Sequence, residues 1–370
     1  MGIRAGTLEN MGLNSAFWQG KKVLITGHTG FKGAWLALWL QQLAAKVTGI
    51  ALKPVSQPNL FEKAGIAKNM RSYTVDIREL SAVKQSFLKI QPDIVIHMAA
   101  QSLVRYSYDN PVETYQSNVM GTLHVLEAMR ECKSIQAAVM VTTDKCYENK
   151  EWVWPYREHE ALGGHDPYSS SKACCELLIA SYRNSFFSEN TAIATARAGN
   201  VIGGGDWAKD RLIPDLIQAE QNKQKIKIRN PQASRPWQYV LEPLYGYLLL
   251  AENLFNHGSE YASAWNFGPK LEDIQSVQWI LQEMTKHCHH LDWEIEDSQQ
   301  VHEANTLKLD SSKAIEQLKW QQQCTLAEAI DKTVVWYQAE KKGHDMQQFC
   351  LAQIKEFSQL SIKAIEGKGK

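Results

Sequence analysis

A tyrosine and a lysine four residues apart are the residues whose chemistry can be stated first. This spacing occurs twice, as Tyr168 with Lys172 and as Tyr337 with Lys341. Residues four apart share one face of a helix, so the lysine ammonium can lie near the phenol, favour the phenolate and lower the tyrosine pKa. Such a tyrosine is a general base for a sugar or alcohol hydroxyl. We expect the first pair to be catalytic, because it follows a strand of a parallel sheet, and the second to lie on the surface of a C-terminal helix.

Three polar residues at the end of that strand can extend this chemistry. Thr143, Asp144 and Lys145 follow the predicted strand at 137–142. In open parallel sheets, ligands bind beyond the carboxyl ends of the strands, so these side chains should face the same crevice as Tyr168. A hydroxyl, a carboxyl and an amine placed together can do more than oxidise an alcohol. A polar loop that caps the next segment is the alternative interpretation.

A glycine-rich loop near the N-terminus has the pattern of a dinucleotide-binding site. Gly27, Gly30 and Gly33 have the spacing G-x-x-G-x-x-G between a strand-like run and a helical pattern. The first glycine permits a tight turn, the second lets the backbone approach a pyrophosphate, and the third lets helix and strand pack closely. The residues expected at the cofactor are Gly27, Thr29, Gly30, Phe31, Lys32, Gly33, Asp76, Ile77, Ala99, Ala100, Gln101, Tyr168 and Lys172.

The residues that would distinguish NAD from NADP leave the choice open. An acidic residue about twenty positions beyond the loop would bind the adenosine ribose of NAD, and none stands there. Lys53 could instead neutralise the 2′-phosphate of NADP, or be a solvated lysine in a turn. Asp76 is a candidate contact for the adenine amino group, with a helix cap as its alternative role. His97, at the end of a strand, is expected to pack rather than to act as a base.

These residues require a sheet that brings several strand ends together. Apolar strand-like runs alternate with helical patterns through the first half of the chain, which is typical of a parallel sheet with crossover helices. The predicted strands are residues 22–26, 46–52, 71–75, 93–97, 137–142 and 192–198, and the predicted helices are 33–42, 81–88, 112–130 and 172–187. We predict an α/β fold with a Rossmann-type doubly wound parallel sheet and a smaller C-terminal substrate-binding domain.

The regular alternation fades after the sixth predicted strand, which sets the expected domain boundaries. The NAD-binding Rossmann domain should comprise residues 16–199, with a later return at about 236–268. The substrate domain should comprise residues 200–235 and 269–360. Residues 1–15 show no periodicity and are expected to be a tail.

Composition restricts the class of protein. Lysine plus arginine and aspartate plus glutamate each total 40 in 370 residues, and 44% of the residues are hydrophobic, as in ordinary soluble globular proteins. We therefore expect no nucleic-acid or membrane partner. Seven scattered cysteines without a C-x-x-C motif indicate reduced thiols in a cytoplasm. The run His-Cys-His-His at 287–290 is not expected to bind a metal, because adjacent ligands cannot easily close one tetrahedral site.

Together these motifs resemble the extended short-chain dehydrogenase/reductase family, and within it the nucleotide-sugar epimerases and dehydratases. Beside Tyr168 and Lys172, the strings that carry the resemblance are Thr-Gly-His-Thr-Gly-Phe-Lys-Gly at 26–33, Thr-Asp-Lys-Cys-Tyr at 143–147 and Gly-Gly-Asp-Trp at 204–207. The similarity runs from about residue 17 to the C-terminal region. Lys145 stands where the more distant dTDP-glucose dehydratases carry glutamate, which favours the branch that acts on CDP-glucose.

The resemblance implies a dehydration in three steps, with CDP-glucose as substrate and NAD as cofactor. Tyr168, helped by Lys172 and Thr143, would remove the proton of the sugar C4 hydroxyl while hydride passes from C4 to NAD. Lys145 would then remove the C5 proton, and Asp144 would protonate the leaving C6 hydroxyl. Hydride would finally return to C6, so that the cofactor ends as it began.

The resemblance also implies the remaining site residues and an assembly. Asn118 would belong to the cofactor site. The residues expected at the nucleotide sugar are Ser102, Arg105, Asn200, Arg211, Leu212, Arg235 and Asn266. Among them, the arginines suit a diphosphate because the guanidinium group binds it in a bidentate manner. We expect a homodimer or homotetramer, in which the helices at 112–130 and 172–187 could pair between subunits.

Two alternatives remain open from the sequence. A nucleotide-sugar 4-epimerase or reductase of the same family would need only Tyr168, Lys172 and the cofactor, and Lys145 beside Asp144 would then be idle. A catalytically silent dinucleotide-sensing protein belongs to another class. The intact tyrosine–lysine pair argues against it, because such a protein has no need of a general base.

Overall fold

The computed structural model describes residues 13–187, 191–288, 291–296 and 306–366, with side chains described as far as residue 360. Its strands are β1 Lys22–Thr26, β2 Lys46–Ala51, β3 Arg71–Thr74, β4 Ile94–His97, β5 Ala137–Val141, β6 Ala192–Ala198, β7 Val201–Ile202, β8 Lys225–Ile228, β9 Ser234–Pro236, β10 Gln238–Tyr239, β11 Ala264–Phe267, β12 Ile274–Ser276 and β13 Asp292–Ile295. Its α-helices are α1 Ser15–Trp18, α2 Phe31–Gln42, α3 Leu60–Lys63, α4 Leu80–Ile90, α5 Val104–Asp109, α6 Pro111–Tyr115, α7 Gly121–Glu131, α8 Pro167–Phe186, α9 Leu212–Asn222, α10 Leu241–His257, α11 Val277–Thr285, α12 Ser312–Leu318, α13 Leu326–Lys341 and α14 Met346–Glu366.

Seven strands form one parallel sheet in the order β11-β6-β5-β4-β1-β2-β3. The chain proceeds from β1 to β2 and β3 on one side, then crosses to β4 and continues outward through β5 and β6. This reversal beside β1 is the switch point of a doubly wound sheet. The predicted Rossmann-type sheet is confirmed, and β11 is a seventh strand beside the six that were predicted.

Side chains alternate between the two faces of this sheet. On β5, Ala137, Val139 and Val141 belong to one hydrophobic cluster, whereas Ala138 and Met140 belong to a second. This period of two follows from the pleat of a strand. Both faces are covered, which explains why the strands are nearly continuous apolar runs in the sequence.

The helix that carries the tyrosine–lysine pair begins earlier than predicted. α8 starts at Pro167, where a proline is favourable because the first helical N–H has no partner in the helix. Asp166 caps it by accepting a hydrogen bond from the Ser169 amide (2.9 Å). Tyr168 and Lys172 therefore lie in the first two turns, near the sheet edge where ligands bind.

Other boundaries also differ from the prediction. The single helix predicted at 112–130 is divided into α6, a π-helical turn at Gln116–Met120 and α7. β2 ends at Ala51 and β5 at Val141, each one residue before its predicted end. None of the helices in the described ranges is long and apolar enough to span a membrane.

The C-terminal helices share a core with the sheet. Trp336 on α13 and Phe357 on α14 belong to the same hydrophobic cluster as Trp39 on α2. The ring of Phe357 packs edge-on against Trp39, with 5.7 Å between centroids. A Cβ on Gly204 would lie 2.0 Å from Cγ of Trp336, so only glycine lets this loop approach α13. The two predicted domains are therefore joined by continuous apolar packing.

Candidate active site

A crevice of about 850 Å³ lies at the carboxyl end of the sheet, where a doubly wound fold binds its ligands. Loops that follow β1 to β6 form one wall, and the segment around α9 forms the other. Every residue predicted for the catalytic, cofactor and substrate sites lines this crevice except Asn118 and Asn266. The tertiary structure thus gathers residues that are far apart in the sequence into one site.

The loop after β5 carries the predicted hydroxyl and carboxyl groups. The Thr143 hydroxyl donates to Oδ1 of Asp144 (2.9 Å) and accepts from the Lys145 amide (3.3 Å), which caps a short 3-10 helix. Asp144 is buried, and its Oδ2 has no hydrogen-bond partner among the described residues. A buried polar atom without a partner costs free energy. Because Asp144 is among the residues around the crevice, this oxygen lies near the space that a ligand would occupy.

Lys145 extends from this loop toward the end of β6. Its Nζ lies 3.8 Å from Oδ1 of Asp144 and donates to Oδ1 of Asn200 (3.4 Å). Its side chain remains partly exposed to the crevice, whereas Asp144 does not. The structure therefore brings the predicted base and acid together with Asn200, a predicted substrate contact.

Tyr168 and Lys172 are buried in the same wall, and neighbouring elements hold them. The Tyr168 amide donates to Oγ of Ser107 on α5 (3.2 Å). Nζ of Lys172 donates to the backbone carbonyl of Val141, the last residue of β5 (3.3 Å). These two bonds fix the start of α8 against the carboxyl end of the sheet.

Burial moves the pKa values of this pair in opposite directions. It raises the pKa of Tyr168 above its usual value, although the Thr143 hydroxyl and the Arg211 charge lower it. It also lowers the pKa of Lys172. The predicted net lowering of the Tyr168 pKa by Lys172 is wrong for the free protein, because burial of the phenol outweighs the charges around it.

The glycine loop forms a cradle at the N-terminus of α2. Gly27 has φ +78°, and a Cβ there would lie 2.7 Å from the Ala99 amide nitrogen. A Cβ on Gly33 would lie 2.2 Å from the Gly27 carbonyl oxygen, so loop and helix approach as closely as glycine permits. Gly30 caps α2 without a side-chain hydrogen bond, and a Cβ on it would meet nothing closer than 3.4 Å. Open space in front of a helix N-terminus fits the pyrophosphate of a dinucleotide.

Lys32, predicted at the cofactor, lines the crevice, and its side chain reaches α10. Its Nζ donates to the hydroxyl of Tyr247 on α10 (2.9 Å). Burial, together with the positive charges of Arg211 and Lys172, lowers the pKa of Lys32 to about 7. Sequence reasoning missed Tyr247, because its place in an apolar helix resembles that of any core aromatic.

The ends of β3 and β4 complete the cofactor half. Asp76 lines the crevice, and its carboxylate accepts a hydrogen bond from the Arg78 side chain (2.7 Å). It does not cap α4, whose N-cap residue is Glu79. His97 is bonded through Nδ1 to the Thr26 hydroxyl (2.7 Å) and through Nε2 to the Thr122 hydroxyl (3.1 Å). Burial lowers the pKa of His97 to about 3, so it is a neutral packing residue, as predicted.

Asn118, which was predicted at the cofactor, does not line the crevice. Its side chain is buried behind the crevice, where Oδ1 accepts from the Gln101 amide (2.8 Å). Its Nδ2 donates to the Gln101 carbonyl (3.0 Å) and to Oγ of Ser171 (2.8 Å). Asn118 therefore fixes Gln101, which does line the crevice.

Arginines from both walls lie around one opening of the crevice. Arg211 donates to Oδ2 of Asp206 (2.9 Å) and to Oγ of Ser102 (3.0 Å). Arg105 lies 3.6 Å from Oδ1 of Asp210. The predicted substrate residues that line this half are Ser102, Arg105, Asn200, Arg211, Leu212 and Arg235. Several guanidinium groups around one opening suit a diphosphate.

Asn266 is the second predicted site residue that lies elsewhere. It is buried on β11, where Oδ1 accepts from the Tyr147 hydroxyl (2.8 Å). Its Nδ2 donates to the backbone carbonyls of Tyr156 (2.9 Å) and Asp310 (3.1 Å). All three bonds join distant segments of the chain, so the structure gives Asn266 a scaffolding position rather than a substrate contact.

Arg229 and Asp206 are among the charged residues at the crevice that were not predicted. Arg229 lines it and lies 3.4 Å from Oδ1 of Asp210, in a segment without a recognisable motif. Asp206, which holds Arg211, belongs to the Gly-Gly-Asp-Trp string and could have been found from it.

The second tyrosine–lysine pair is not the surface pair that was predicted. Tyr337 is buried, and its hydroxyl donates to the Asp206 carbonyl and accepts from the Asp206 amide (3.0 Å). Lys341, one turn later, is exposed. The helix is amphipathic, so residues four apart at the edge of its buried face can differ in burial.

No group of three or more His, Cys, Asp and Glu side chains in the described ranges is arranged to hold a metal ion. Within the His-Cys-His-His run, His287 lies 3.7 Å from the Asp331 carboxylate and Cys288 is buried. His289 and His290 lie outside the described residues.

The chain is similar to known proteins in both sequence and fold. Residues 24–333 match the sequence model of the family described as GDP-mannose 4,6 dehydratase. A CDP-glucose 4,6-dehydratase from Salmonella typhimurium is 48% identical over 341 residues, which cover 90% of this chain and 95% of that protein. A dTDP-glucose 4,6-dehydratase from Haemophilus influenzae is 26% identical over 347 residues, which cover 85% of this chain and 97% of that protein.

Solved structures share the fold at lower identity. A dTDP-glucose 4,6-dehydratase from Streptomyces venezuelae with NAD and TYD bound has a TM-score of 0.74 at 19% identity, covering 87% of this chain and 98% of that chain. A UDP-glucose 4-epimerase from Thermotoga maritima with UDP-glucose has a TM-score of 0.75 at 19% identity, covering 86% and 99%. Because epimerases and dehydratases share this architecture, the overall shape does not separate the two reactions.

Proposed function

Because this chain belongs to the GDP-mannose 4,6 dehydratase family, we propose that it is an NAD-dependent nucleotide-sugar 4,6-dehydratase, a hydro-lyase that converts CDP-glucose to CDP-4-keto-6-deoxyglucose. The 48% identity to a CDP-glucose 4,6-dehydratase supports the choice of substrate. The observation that carries the proposal is Asp144 with Lys145 in the wall beside Tyr168. A buried acid with a free oxygen and an amine at the crevice serve an elimination, which oxidation alone does not require.

The cofactor proposal follows from the fit of the glycine cradle. Gly27, Gly30 and Gly33 would hold the pyrophosphate of NAD, and Lys172 would hold the nicotinamide ribose. Bound NAD would supply the hydride acceptor for C4 and the hydride donor for C6. Lys53 lines the crevice beyond β2, so NADP should be tested as a second cofactor.

The first half of the reaction belongs to α8. Tyr168 would take the proton of the sugar C4 hydroxyl, with the Thr143 hydroxyl in reach of the phenol. A positive charge on Lys172 would favour the phenolate once substrate fills the crevice and excludes water. The product of this half is a C4 ketone, which acidifies the hydrogen on C5.

The second half belongs to the loop after β5. Lys145 would take the C5 proton, and Oδ2 of Asp144 would protonate the C6 oxygen as it leaves as water. The resulting double bond would accept hydride at C6 and a proton at C5. Over the whole cycle one water is lost and no net oxidation occurs, so the reaction is a dehydration.

The arginines at the crevice would hold the nucleotide diphosphate. Arg211 is already oriented by Asp206, and Arg105 and Arg235 face the same opening. Ser102 and Asn200 would contact the sugar side, and Leu212 would pack against it at the start of α9. A preoriented guanidinium loses less entropy when it binds an anion than a free one does.

A 4-epimerase is the alternative, because the solved epimerase has the same fold. An epimerase needs Tyr168 and Lys172 but no acid at C6. The free Oδ2 of Asp144 has no function in that reaction. The geometry therefore favours the dehydratase.

Isotopes separate these reactions. The protein should be incubated with CDP-glucose carrying deuterium at C4, in ordinary water with NAD. A dehydratase moves this deuterium to C6 and yields a 6-deoxy sugar, whereas an epimerase returns it to C4. A second incubation of unlabelled substrate in deuterated water should place deuterium at C5. Absence of both labels, with other nucleotide glucoses as controls, would overturn the proposal.

We also propose that the protein forms a homodimer or homotetramer and acts in the cytoplasm. Its product would supply 6-deoxysugars for surface polysaccharide such as lipopolysaccharide O-antigen. Apolar side chains on the outer faces of α6 and α8 support pairing between subunits, since Val112 is 68% exposed and Leu177 61%. Exposed apolar faces of this kind are typical of association surfaces. Light scattering should give a multiple of the 41.9 kDa chain, and Leu177→Lys should reduce it.

A further inference from the structure

A buried ion pair lies behind the crevice, outside its lining. The guanidinium of Arg197 on β6 donates through Nε to Oε1 (2.9 Å) and through Nη2 to Oε2 (2.8 Å) of Glu176 on α8. Both side chains are only 3% exposed. Desolvation of two charges is costly, so a buried pair is weak evidence for stability by itself and calls for another role.

The pair also binds both ends of the catalytic loop. Glu176 accepts hydrogen bonds from the hydroxyls of Thr142 and Thr195 (2.8 Å for Thr195). Nη1 of Arg197 donates to the hydroxyl of Tyr147 (2.7 Å). Thr142 and Tyr147 are the two residues that enclose the segment 143–146. One ion pair therefore holds the loop at its start and at its end.

The same pair also connects this loop to α8, the helix that carries Tyr168 and Lys172. Tyr168, Lys172 and Glu176 follow one another at four-residue intervals, so they share one face of α8. Through Glu176, hydrogen bonds connect that face to the start of the loop carrying Asp144, in addition to the apolar packing of Cys146 and Tyr147 against Ala173. The negative charge of Glu176 also favours the charged form of Lys172.

Tyr147 connects the arrangement to the scaffold. Its hydroxyl accepts from Arg197 and donates to Oδ1 of Asn266, which lies on β11. The Arg197 guanidinium also stacks over the Tyr147 ring, 4.9 Å from its centroid. The end of the catalytic loop is thus fixed to two neighbouring strands, β6 and β11.

We propose that Glu176 and Arg197 are positioning residues that set the loop bearing Asp144 and Lys145 against Tyr168, and that they serve the elimination half of the reaction. The oxidation half takes only the Thr143 hydroxyl from this loop, and its base Tyr168 and Lys172 lie on α8. The elimination half takes both of its acid–base groups, Asp144 and Lys145, from the segment 143–146, whose two ends the pair binds, so it should suffer more when the loop shifts. This inference rests on the proposed dehydratase function.

Conservative variants at the loop ends test the proposal and leave the buried charges of Glu176 and Arg197 paired with each other. Thr142→Val and Tyr147→Phe each remove one hydroxyl from the network and keep the shape of the side chain. We expect kcat to fall about tenfold or more, with KM for CDP-glucose changed less than about twofold, because substrate contacts remain. Reduced nicotinamide should accumulate during turnover, and deuterium incorporation at C5 should slow.

Two control variants separate positioning from general loosening of the fold. Thr142→Ser restores the hydroxyl and should restore turnover. Tyr156→Phe removes a hydroxyl from the ring that stacks on Tyr147 but does not touch the ion pair, and it should behave as the wild type. Glu176→Gln would report on the charge itself if the variant folds.

The outcomes distinguish this inference from the proposed function. If the wild type does not dehydrate CDP-glucose, the proposed function fails. If the wild type does so and both loop-end variants keep its turnover, or lose oxidation and elimination equally, the positioning inference is overturned while the function stands.

Discussion

The ammonium nitrogen of Lys145 lies 3.8 Å from Oδ1 of Asp144. A carboxyl group and an amine so close together can act on neighbouring atoms of one bound sugar. The proposed elimination uses both, because Lys145 takes a proton from C5 and Asp144 gives one to the oxygen that leaves C6.

Replacement of either member should stop the reaction halfway. In Asp144→Asn the C6 oxygen leaves without a proton donor, and in Lys145→Met the C5 proton has no acceptor. We expect kcat to fall by about 10²–10⁴-fold in each, the range typical of lost general acid–base catalysis. Reduced nicotinamide measured by absorbance should accumulate in both. A normal rate of water loss in either variant would contradict the assignment.

Tyr168→Phe should abolish the first half instead. The phenylalanine ring fills the same buried volume, so the folded state should keep its stability. The general base for the C4 hydroxyl is lost, and kcat should fall by about 10²–10⁴-fold without accumulation of reduced nicotinamide. The measurement is the absorbance of reduced nicotinamide, which should rise during turnover in Asp144→Asn but not in Tyr168→Phe. Tyr337→Phe is the matched control, because it alters the other tyrosine of the repeated spacing, and it should leave the oxidation step intact.

The glycine cradle can be tested with two alanine variants of opposite consequence. A Cβ at position 30 meets nothing closer than 3.4 Å, so Gly30→Ala should fold as the wild type but weaken cofactor binding, because the methyl group occupies the path of the pyrophosphate. A Cβ at position 33 would lie 2.2 Å from a backbone oxygen, so Gly33→Ala should lose about 3 kcal/mol of stability. Urea unfolding and cofactor titration separate the effects. If Gly30→Ala and the wild type bind the cofactor with equal affinity, the cofactor does not bind at this loop.

A buried carboxyl outside the site should make stability depend on pH. Burial raises the pKa of Glu242 from 4.5 to about 8, while its Oε1 accepts from the Gln323 and Cys324 amides. Between these pH values the folded chain retains a proton that the unfolded chain has lost. The free energy of unfolding should therefore fall as pH rises from about 4.5 to about 8, and then level off.

Glu242→Gln keeps the accepting oxygen and removes the titration. Relative to the wild type it should gain about 2–4 kcal/mol between about pH 5 and about pH 8.5, measured by urea unfolding. Glu272→Gln, at an exposed position, should show no such gain. Parallel pH profiles for Glu242→Gln and the wild type would show that Glu242 is ionised in the folded protein throughout.

The sequence by itself determined the sheet, the phosphate loop and the catalytic strings. These are local features, because a strand buried on both faces must be apolar and a pyrophosphate loop must have glycine where the backbone approaches closely. Asp144, Lys145, Tyr168 and Lys172 could be placed in one crevice because strand ends in a parallel sheet meet at one edge. Their position follows from topology, and topology follows from the alternation of strands and helices.

Only the tertiary structure decided the roles of residues whose partners are distant in the chain. Asn266 bonds to Tyr147, 119 residues away, and Tyr337 bonds to Asp206, 131 residues away. An asparagine in a motif has the same donors and acceptors whether it meets a ligand or a carbonyl group. The pKa of Tyr168 was also decided by packing, since burial is a property of the folded chain and not of the four-residue spacing.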